Sequence, residues 1–148
     1  TTLRKRENFM TDIADDIHRE ALTSIEEGLE NGDTMEELSE RVRAKFNGIS
    51  KSRADAVAVT ETTNIYETAR QATFEAAGVE FKQWLGSGLG NMRFTHWKAD
   101  DEGQVVKVKE PFIVGGARLM YPGDSNGPPE EVIRCNCVSI ASLGPEKK

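Results

Sequence analysis

The chain carries two cysteines and two histidines, residue types whose thiols and imidazoles could bind a metal or carry redox chemistry. Cys135 and Cys137 lie one residue apart in EEVIRCNCVSIASL and could supply two thiolates to zinc, which needs two further ligands. His96 with Glu61 or an aspartate would complete that set, because His18 is interpreted as a solvated residue of an acidic helix. A disulfide between residues two apart is strained. We therefore expect two semi-buried thiols and no cofactor, and zinc at Cys135, Cys137 and His96 stays open as the alternative.

A second polar group centres on Glu61. This glutamate interrupts the apolar stripe of a predicted helix, four residues after Val57 and four before Ile65. A carboxylate on such a face must be paired, hydrogen-bonded or protonated. Arg93 and His96 are three residues apart in MRFTHW, so on a helical turn they share a face and can hold one carboxylate. We predict a buried polar network of Glu61, Arg93 and His96.

Two alternatives to this network stay open. In the first, MRFTHW is a surface turn whose Phe94 and Trp97 pack inward. In the second, another arginine pairs with the buried glutamate, the candidates being Arg53, Arg70 and Arg134.

The sequence shows no familiar catalytic motif. There is no G-x-S-x-G, HExxH, CxxC or Walker box. An enzyme would therefore have to use the same polar residues, as a nuclease-like or nucleotide-acting hydrolase or transferase. His96 would be its general acid and base, and Arg93 would stabilise charge beside Glu61. We expect a structural protein with no catalytic residues, and this hydrolase is the alternative.

Hydrophobic periodicity predicts three helices in the first half of the chain. Apolar residues at helical spacing indicate helices over 2–30 and 34–47, separated by Asn31-Gly32. So short a connection favours an antiparallel helical hairpin. Ser50 is a suitable N-cap for a third, alanine-rich helix over about 51–77.

Alternation of apolar and polar residues predicts strands in the second half. The candidate strands are 79–85, 105–114 and the last one, VIRCNCVSIASL, with a loop-rich segment before it. On that last strand both cysteines would point to one face. The order of elements predicts an α+β fold, in which an N-terminal helical hairpin and a third long helix pack on a small antiparallel sheet.

Charge and composition separate the hairpin from the rest. Residues 1–48 carry 7 basic and 12 acidic side chains, whereas residues 49–148 carry 12 and 13, which gives the formal charge of −6. We predict a hairpin arm over 1–48, an α+β domain over 49–144 and a tail over 145–148. The net negative charge disfavours direct DNA binding. No apolar run approaches the ~20 residues of a membrane span.

The beginning of the chain and its cysteine usage give two further expectations. The chain starts TTLRKRENF without a methionine, and we expect it to be a piece of a longer protein. Two cysteines at this spacing make no disulfide framework, so a reducing, cytoplasmic compartment is the default.

Five short motifs between about residues 53 and 140 resemble, in the same order, those of the phage Mu F-like minor head proteins, also called head morphogenesis proteins. The stretch ADAVAVTETTNIYETARQATFEAAGVEFKQWL carries a helix motif and a strand motif. The other three lie in MRFTHWKADDEGQVVKVKEPF, MYPGD and PPEEVIRCNCVSI. The resemblance therefore covers most of the predicted α+β domain.

The resemblance adds two residues to the predicted network and marks three departures. Some family members carry a Cys-x-x-Cys where this chain has NMRFT, and its absence here weighs against zinc because two ligands are missing. Gln104 and Asp124 join the polar group, while Arg134 stands where the family usually has asparagine and Asn136 where it usually has arginine. The motif positions carried over to this chain are Thr60, Glu61, Arg93, His96, Gly103, Gln104, Phe112, Pro122, Gly123, Asp124, Cys135 and Cys137.

The resemblance implies a structural role in virion assembly. Members of this family are minor capsid components that act with the portal and scaffold during head formation. Expected partners are thus portal or capsid proteins of a tailed phage or prophage, together with self-association through the N-terminal helices. The expected location is the virion and, before assembly, the host cytoplasm.

Overall fold

A computed structural model describes residues 15–145, with side chains from residue 18 onward. Helix α1 spans Asp15–Glu30, α2 spans Met35–Lys45 and α3 spans Lys51–Ala76. Ser50 caps α3 as predicted, because its hydroxyl accepts a hydrogen bond from the backbone N–H of Arg53 at 3.2 Å. The predicted first helix before residue 15 lies outside the described residues.

Helices α1 and α2 form the predicted hairpin and pack on the first half of α3. The residues that make this core are small or aliphatic, except for one phenylalanine at the end of α2, and alanines on α3 let the hairpin approach its backbone. They are Ala21, Ile25, Leu38, Val42, Phe46, Ala54, Val57 and Ala58. The hairpin thus shares a hydrophobic core with α3, while the division into 1–48, 49–144 and 145–148 stays a prediction.

Two antiparallel sheets follow α3. Strand β1 (Phe81–Leu85) is the centre of a three-stranded sheet, flanked by β2 (Val105–Lys107) and β5 (Val138–Ser142). Strands β3 (Phe112–Val114) and β4 (Ala117–Leu119) pair separately as a hairpin. Together with the helices, these sheets confirm the α+β fold.

Two short helices complete the described chain. Helix α4 spans Phe94–Asp101 and α5 is a single turn, Pro129–Val132. They enclose a second core in which Trp84 meets Phe112 edge to face, with ring centroids 5.4 Å apart. The members of this core come from both sheets, both helices and the cysteine segment. They are Trp84, Ala99, Phe112, Val114, Leu119, Val132, Cys135 and Cys137.

The prediction of one strand over 105–114 is wrong, because the chain turns in its middle. The backbone N–H of Glu110 donates to the carbonyl of Lys107 at 2.9 Å, which closes a turn after β2. Pro111 has no N–H to extend a ladder. The chain then enters the second sheet as β3, so the apolar residues on the two sides of Pro111 serve different sheets.

The prediction that the cysteines lie on the last strand is also wrong. Strand β5 begins only at Val138, after both cysteines. Helix α5 and a left-handed residue, Arg134 with φ of +60°, occupy the first part of the predicted strand. Cys135 and Cys137 are nevertheless both buried, each 2% exposed.

The alternative in which Phe94 and Trp97 pack inward is wrong as well. Their side chains are 69% and 47% exposed. The two rings stack on each other with centroids 5.8 Å apart, on the outer face of α4. The residue of α4 that turns inward is His96, which is 1% exposed.

The polar face of α3 holds the loops of the second half. Thr60 Oγ1 accepts the backbone N–H of Arg134 at 2.9 Å, and Thr63 Oγ1 donates to the carbonyl of Cys135 at 2.6 Å. Asn64 Nδ2 donates to the carbonyl of Gly123 at 3.0 Å. Gly123 has φ of +77°, and a Cβ there would lie 2.7 Å from the Thr63 methyl group, so only glycine permits this approach.

A buried carboxylate extends this face along α3. Glu67 is 1% exposed and accepts the hydroxyl of Ser139 at 2.7 Å, in strand β5. Nη1 of Arg70 lies 3.3 Å from Oε1 of Glu67. Burial raises the pKa of Glu67, and the hydrogen bond from Ser139 opposes that rise.

Lys82 is a fully buried lysine between α3 and the sheets. Its ammonium donates to Gln71 Oε1 at 3.1 Å and to the carbonyl of Met120, and it lies 5.1 Å from the centroid of the Phe112 ring. Burial lowers the pKa of Lys82 to about 8. The sequence alternation of β1 gave no sign that its charged residue would face the core.

Thr60 and Thr62 provide a matched test of this polar face, since each is 6% exposed on α3. The Thr62 hydroxyl has no hydrogen-bond partner in the described part of the chain. We expect Thr60→Val to lower the free energy of unfolding by about 1 kcal/mol, because the Arg134 N–H loses its acceptor. Thr62→Val should leave it unchanged or raise it. Urea unfolding measures both, and equal losses would contradict the assigned role of Thr60.

The pH dependence of stability tests the buried charge of Lys82. Between about pH 8 and the ordinary lysine pKa of 10.5, the unfolded chain binds more protons than the folded one, so the folded state gains stability as pH rises. Relative to Lys82→Met, the wild type should gain at most roughly 1.4 kcal/mol per pH unit in that window. Urea unfolding at one-unit pH steps, with a reducing agent present, measures this gain. A constant difference between the two proteins would show that Lys82 is not held in a charge-disfavouring site.

Candidate functional site

His96 lies where α4, β1 and the cysteine segment meet. Arg93 is the N-cap residue of α4, and this places His96 in the first helical turn with its ring pointing into the second core. The ring packs edge-on against Trp84, with centroids 5.2 Å apart. Nδ1 of His96 faces both thiols, at 3.6 Å from Cys135 Sγ and 3.5 Å from Cys137 Sγ.

The other ring nitrogen of His96 faces Glu131. The distance from Nε2 to Glu131 Oε2 is 3.2 Å, an ion-pair contact when His96 is protonated rather than an aligned hydrogen bond. Thr95 Oγ1 contacts both carboxylate oxygens, at 3.0 and 2.8 Å, and so fixes the carboxylate. Gly115, with φ of +57°, leaves the space for it, because a Cβ there would lie 2.8 Å from Glu131 Oε1.

Arg93 and Arg134 shape the segment that carries the cysteines. The guanidinium of Arg93 donates to the carbonyl of Glu130 at 2.8 Å and to that of Ile133. Arg134 takes the left-handed conformation and donates to Ser52 Oγ at 3.0 Å. Asparagine adopts this conformation more readily than arginine, which is consistent with the asparagine that the resemblance expects at this position.

The environment shifts the pKa values of the two thiols in opposite directions. The hydrogen bond from Cys135 lowers the pKa of Cys137 despite its burial, and the nearby His96 lowers it further. The same hydrogen bond and burial raise the pKa of Cys135. The two thiol pKa values therefore shift in opposite directions, and Cys137, the one whose pKa is lowered, lies next to Nδ1 of His96.

A cavity of about 120 Å³ adjoins the three side chains. His96, Cys135 and Cys137 all line it, together with Asn91 and Asn136 among other residues. This volume is well above the roughly 10–15 Å³ that one water molecule requires. The cluster therefore has room for one more small ligand in this cavity.

The partners predicted for Glu61 need correction. Glu61 is buried, 4% exposed, and among the described residues one ion-pair contact joins it to His18 of α1, with Nε2 to Oε1 at 3.8 Å. Arg93 and His96 are instead engaged by the segment that runs from α5 to Cys137. Glu61 lies on the face of α3 that packs against the hairpin. Arg93 and His96 lie in the second half of the molecule, where they contact the segment from α5 to Cys137. The His18 side chain is only 24% exposed, so it is not the solvated residue that we expected.

Gln104 and Asp124 hold backbone in two other places. The Gln104 side chain pairs with Ile113 in both directions, at 2.9 and 2.6 Å, and so joins the end of α4 to β3. Asp124 is 3% exposed and accepts the backbone N–H groups of Met120 and Asn126, which closes its loop. Both side chains are thus held by hydrogen bonds to backbone groups, at places separate from the His96 site.

Sequence reasoning missed Glu131, Thr95 and Lys82. Glu131 lies in the quoted motif PPEEVIRCNCVSI but carries no spacing signal toward His96, 35 positions earlier in the numbering. Thr95 is next to His96 in the chain, and this adjacency was the one feature of the sequence that could have placed it at the site. The pairing of Lys82 depends on which face of β1 is buried, and alternation alone leaves that undecided.

Comparison with known proteins gives one match and two negative results. The model of the family described as Phage Mu protein F like protein matches residues 19–140. No curated protein matches the chain, and no solved structure does. Among the described residues, no helix is both long enough and apolar enough to cross a membrane. Because the match spans most of its length, the chain belongs to the family of Phage Mu F-like proteins.

Proposed function

We propose that this chain is a minor structural component of a phage head, which acts in head morphogenesis by docking through its helical hairpin on another head protein. The observation that carries this proposal is the family match over residues 19–140. The portal and the capsid protein are the partners that the resemblance implies. The finer statement, that the hairpin is the docking surface, rests on charge and exposure.

The environment of His96 supports a structural role over the hydrolase alternative. A general acid or base must come within hydrogen-bonding distance of the substrate proton. His96 is 1% exposed, and both of its ring nitrogens face groups of the protein itself. The guanidinium of Arg93 likewise donates to two backbone carbonyls, which leaves it poorly placed to stabilise charge on a substrate.

The outer surface of the hairpin is strongly acidic. The exposed basic side chains of α1 and α2 are Arg19, Arg43 and Lys45, and Arg43 is paired with Glu40 at 3.4 Å. Such a surface favours a partner with a basic patch, since complementary charge speeds association and selects among partners. From residue 18 onward, the exposed acidic residues of the two helices are Glu20, Glu26, Glu27, Glu30, Glu36, Glu37 and Glu40.

A charge-matched pair of triple variants tests this docking surface. The hairpin variant carries Glu20→Gln, Glu26→Gln and Glu30→Gln. We expect it to bind about tenfold more weakly than the wild type, or ~1.4 kcal/mol, with a shallower salt dependence. Binding is measured by co-sedimentation of the purified full chain with heads assembled from the portal and capsid proteins of the phage that encodes it.

The control variant removes the same charge from exposed positions of the body, by Glu80→Gln, Glu110→Gln and Glu130→Gln. It should bind like the wild type. Equal weakening by both triple variants would contradict docking through the hairpin and indicate a nonspecific charge effect. If binding were lost only in the double variant Phe94→Ser with Trp97→Ser, the docking contact would lie on α4 instead of the hairpin. Hydrolysis of RNA or nucleotides by the wild type, lost in His96→Gln, would favour the enzyme instead.

A further inference from the structure

Three buried ligand atoms converge at the end of the second core. Nδ1 of His96 and the Sγ atoms of Cys135 and Cys137 all lie within 4.8 Å of one another. Each residue is at most 2% exposed. They come from two separate elements, since His96 lies on α4 and the cysteines follow α5. A buried set of one imidazole and two thiols is a recognised ligand combination for zinc.

The spacing of these atoms fits tetrahedral coordination. With Zn–S near 2.3 Å and Zn–N near 2.0 Å, a tetrahedral angle places a nitrogen and a sulfur ligand roughly 3.5–3.6 Å apart. The observed distances from His96 Nδ1 are 3.6 Å to Cys135 and 3.5 Å to Cys137. Both nitrogen–sulfur edges of the tetrahedron therefore already have the length that a bound zinc ion requires.

The groups behind His96 are those that orient a histidine ligand. Metal-bound histidine generally presents its second ring nitrogen to a carboxylate or a carbonyl, which fixes the tautomer and the ring plane. Glu131 Oε2 lies 3.2 Å from Nε2 of His96, on the side away from the thiols, and Thr95 fixes its carboxylate. The contact is not an aligned hydrogen bond, so a small rotation of the ring or of the carboxylate would complete it. With the proton on Nε2, the lone pair of Nδ1 points toward the two sulfurs.

We propose that Cys135, Cys137 and His96 bind one zinc ion. Two thiolates and an imidazole are a soft set that favours zinc over magnesium or calcium, whose ligands are oxygens. The fourth ligand is a water molecule in the adjoining cavity, which the three side chains line. Glu131 is a positioning residue that acts through His96. The ion ties the cysteine segment to α4 across the core, and this role is independent of where the protein docks.

Metal content and a spectroscopic probe test the ligand set. The full chain is purified with a reducing agent and without metal-affinity resin. We expect one zinc ion per chain by elemental analysis, and cobalt in its place should give thiolate charge-transfer bands and the d–d bands of tetrahedral coordination. The double variant Cys135→Ser with Cys137→Ser should lose both. A wild type that binds neither metal, or shows a Cys135–Cys137 disulfide in reducing buffer, would overturn the proposal even if the variant fails to fold.

Two neighbouring glutamates give a matched control for the positioning residue. Glu131→Gln should weaken zinc affinity by roughly 10–100-fold, measured by competition with a chromophoric chelator. Glu130→Gln, on the exposed side of the same turn, should leave it unchanged. Equal affinities in the two variants would refute the role of Glu131, and zinc retained by the double cysteine variant would refute the ligand assignment.

Discussion

The polar face of helix α3 is the constraint on which the second half of the molecule depends. Thr60, Thr63 and Glu67 bind in turn to Arg134, Cys135 and Ser139, and these contacts align the cysteine segment along one helix. The segment itself has little regular structure between α5 and β5, so its path is decided by these side chains rather than by a strand ladder. Buried hydrogen bonds are effective here because an unpaired backbone group inside the core would be costly.

The opposite face of the same helix carries the hairpin. Ala54, Val57 and Ala58 contribute to the core that α1 and α2 complete, and the buried Glu61 meets His18 at its edge. One helix therefore connects the proposed docking surface with the cysteine segment through packed side chains. This arrangement suits a component of an assembly, in which a surface must keep its position relative to the body.

Hydrophobic periodicity was sufficient to predict the structure where the interacting residues are close in the chain. The three helices, the Ser50 cap and the α+β order all follow from local patterns, because helix spacing and capping depend on residues within a few positions. The motif order also indicated the family that the match over residues 19–140 shows. The strand assignments were less successful. Pro111 and Arg134 interrupt two segments whose apolar and polar residues alternate as they would in a strand.

By itself, then, the sequence determined the three helices from residue 15 onward, the fold class and the family, and it singled out His96 and both cysteines as residues with chemistry. Only the tertiary structure decided which residues face each other. Glu61 was expected to meet Arg93 and His96, but it lies on the hairpin side of α3, while Glu131 faces His96. The physical reason is that a side chain's partner depends on which face of an element is buried and on how distant segments cross, and neither is encoded in the spacing of nearby residues.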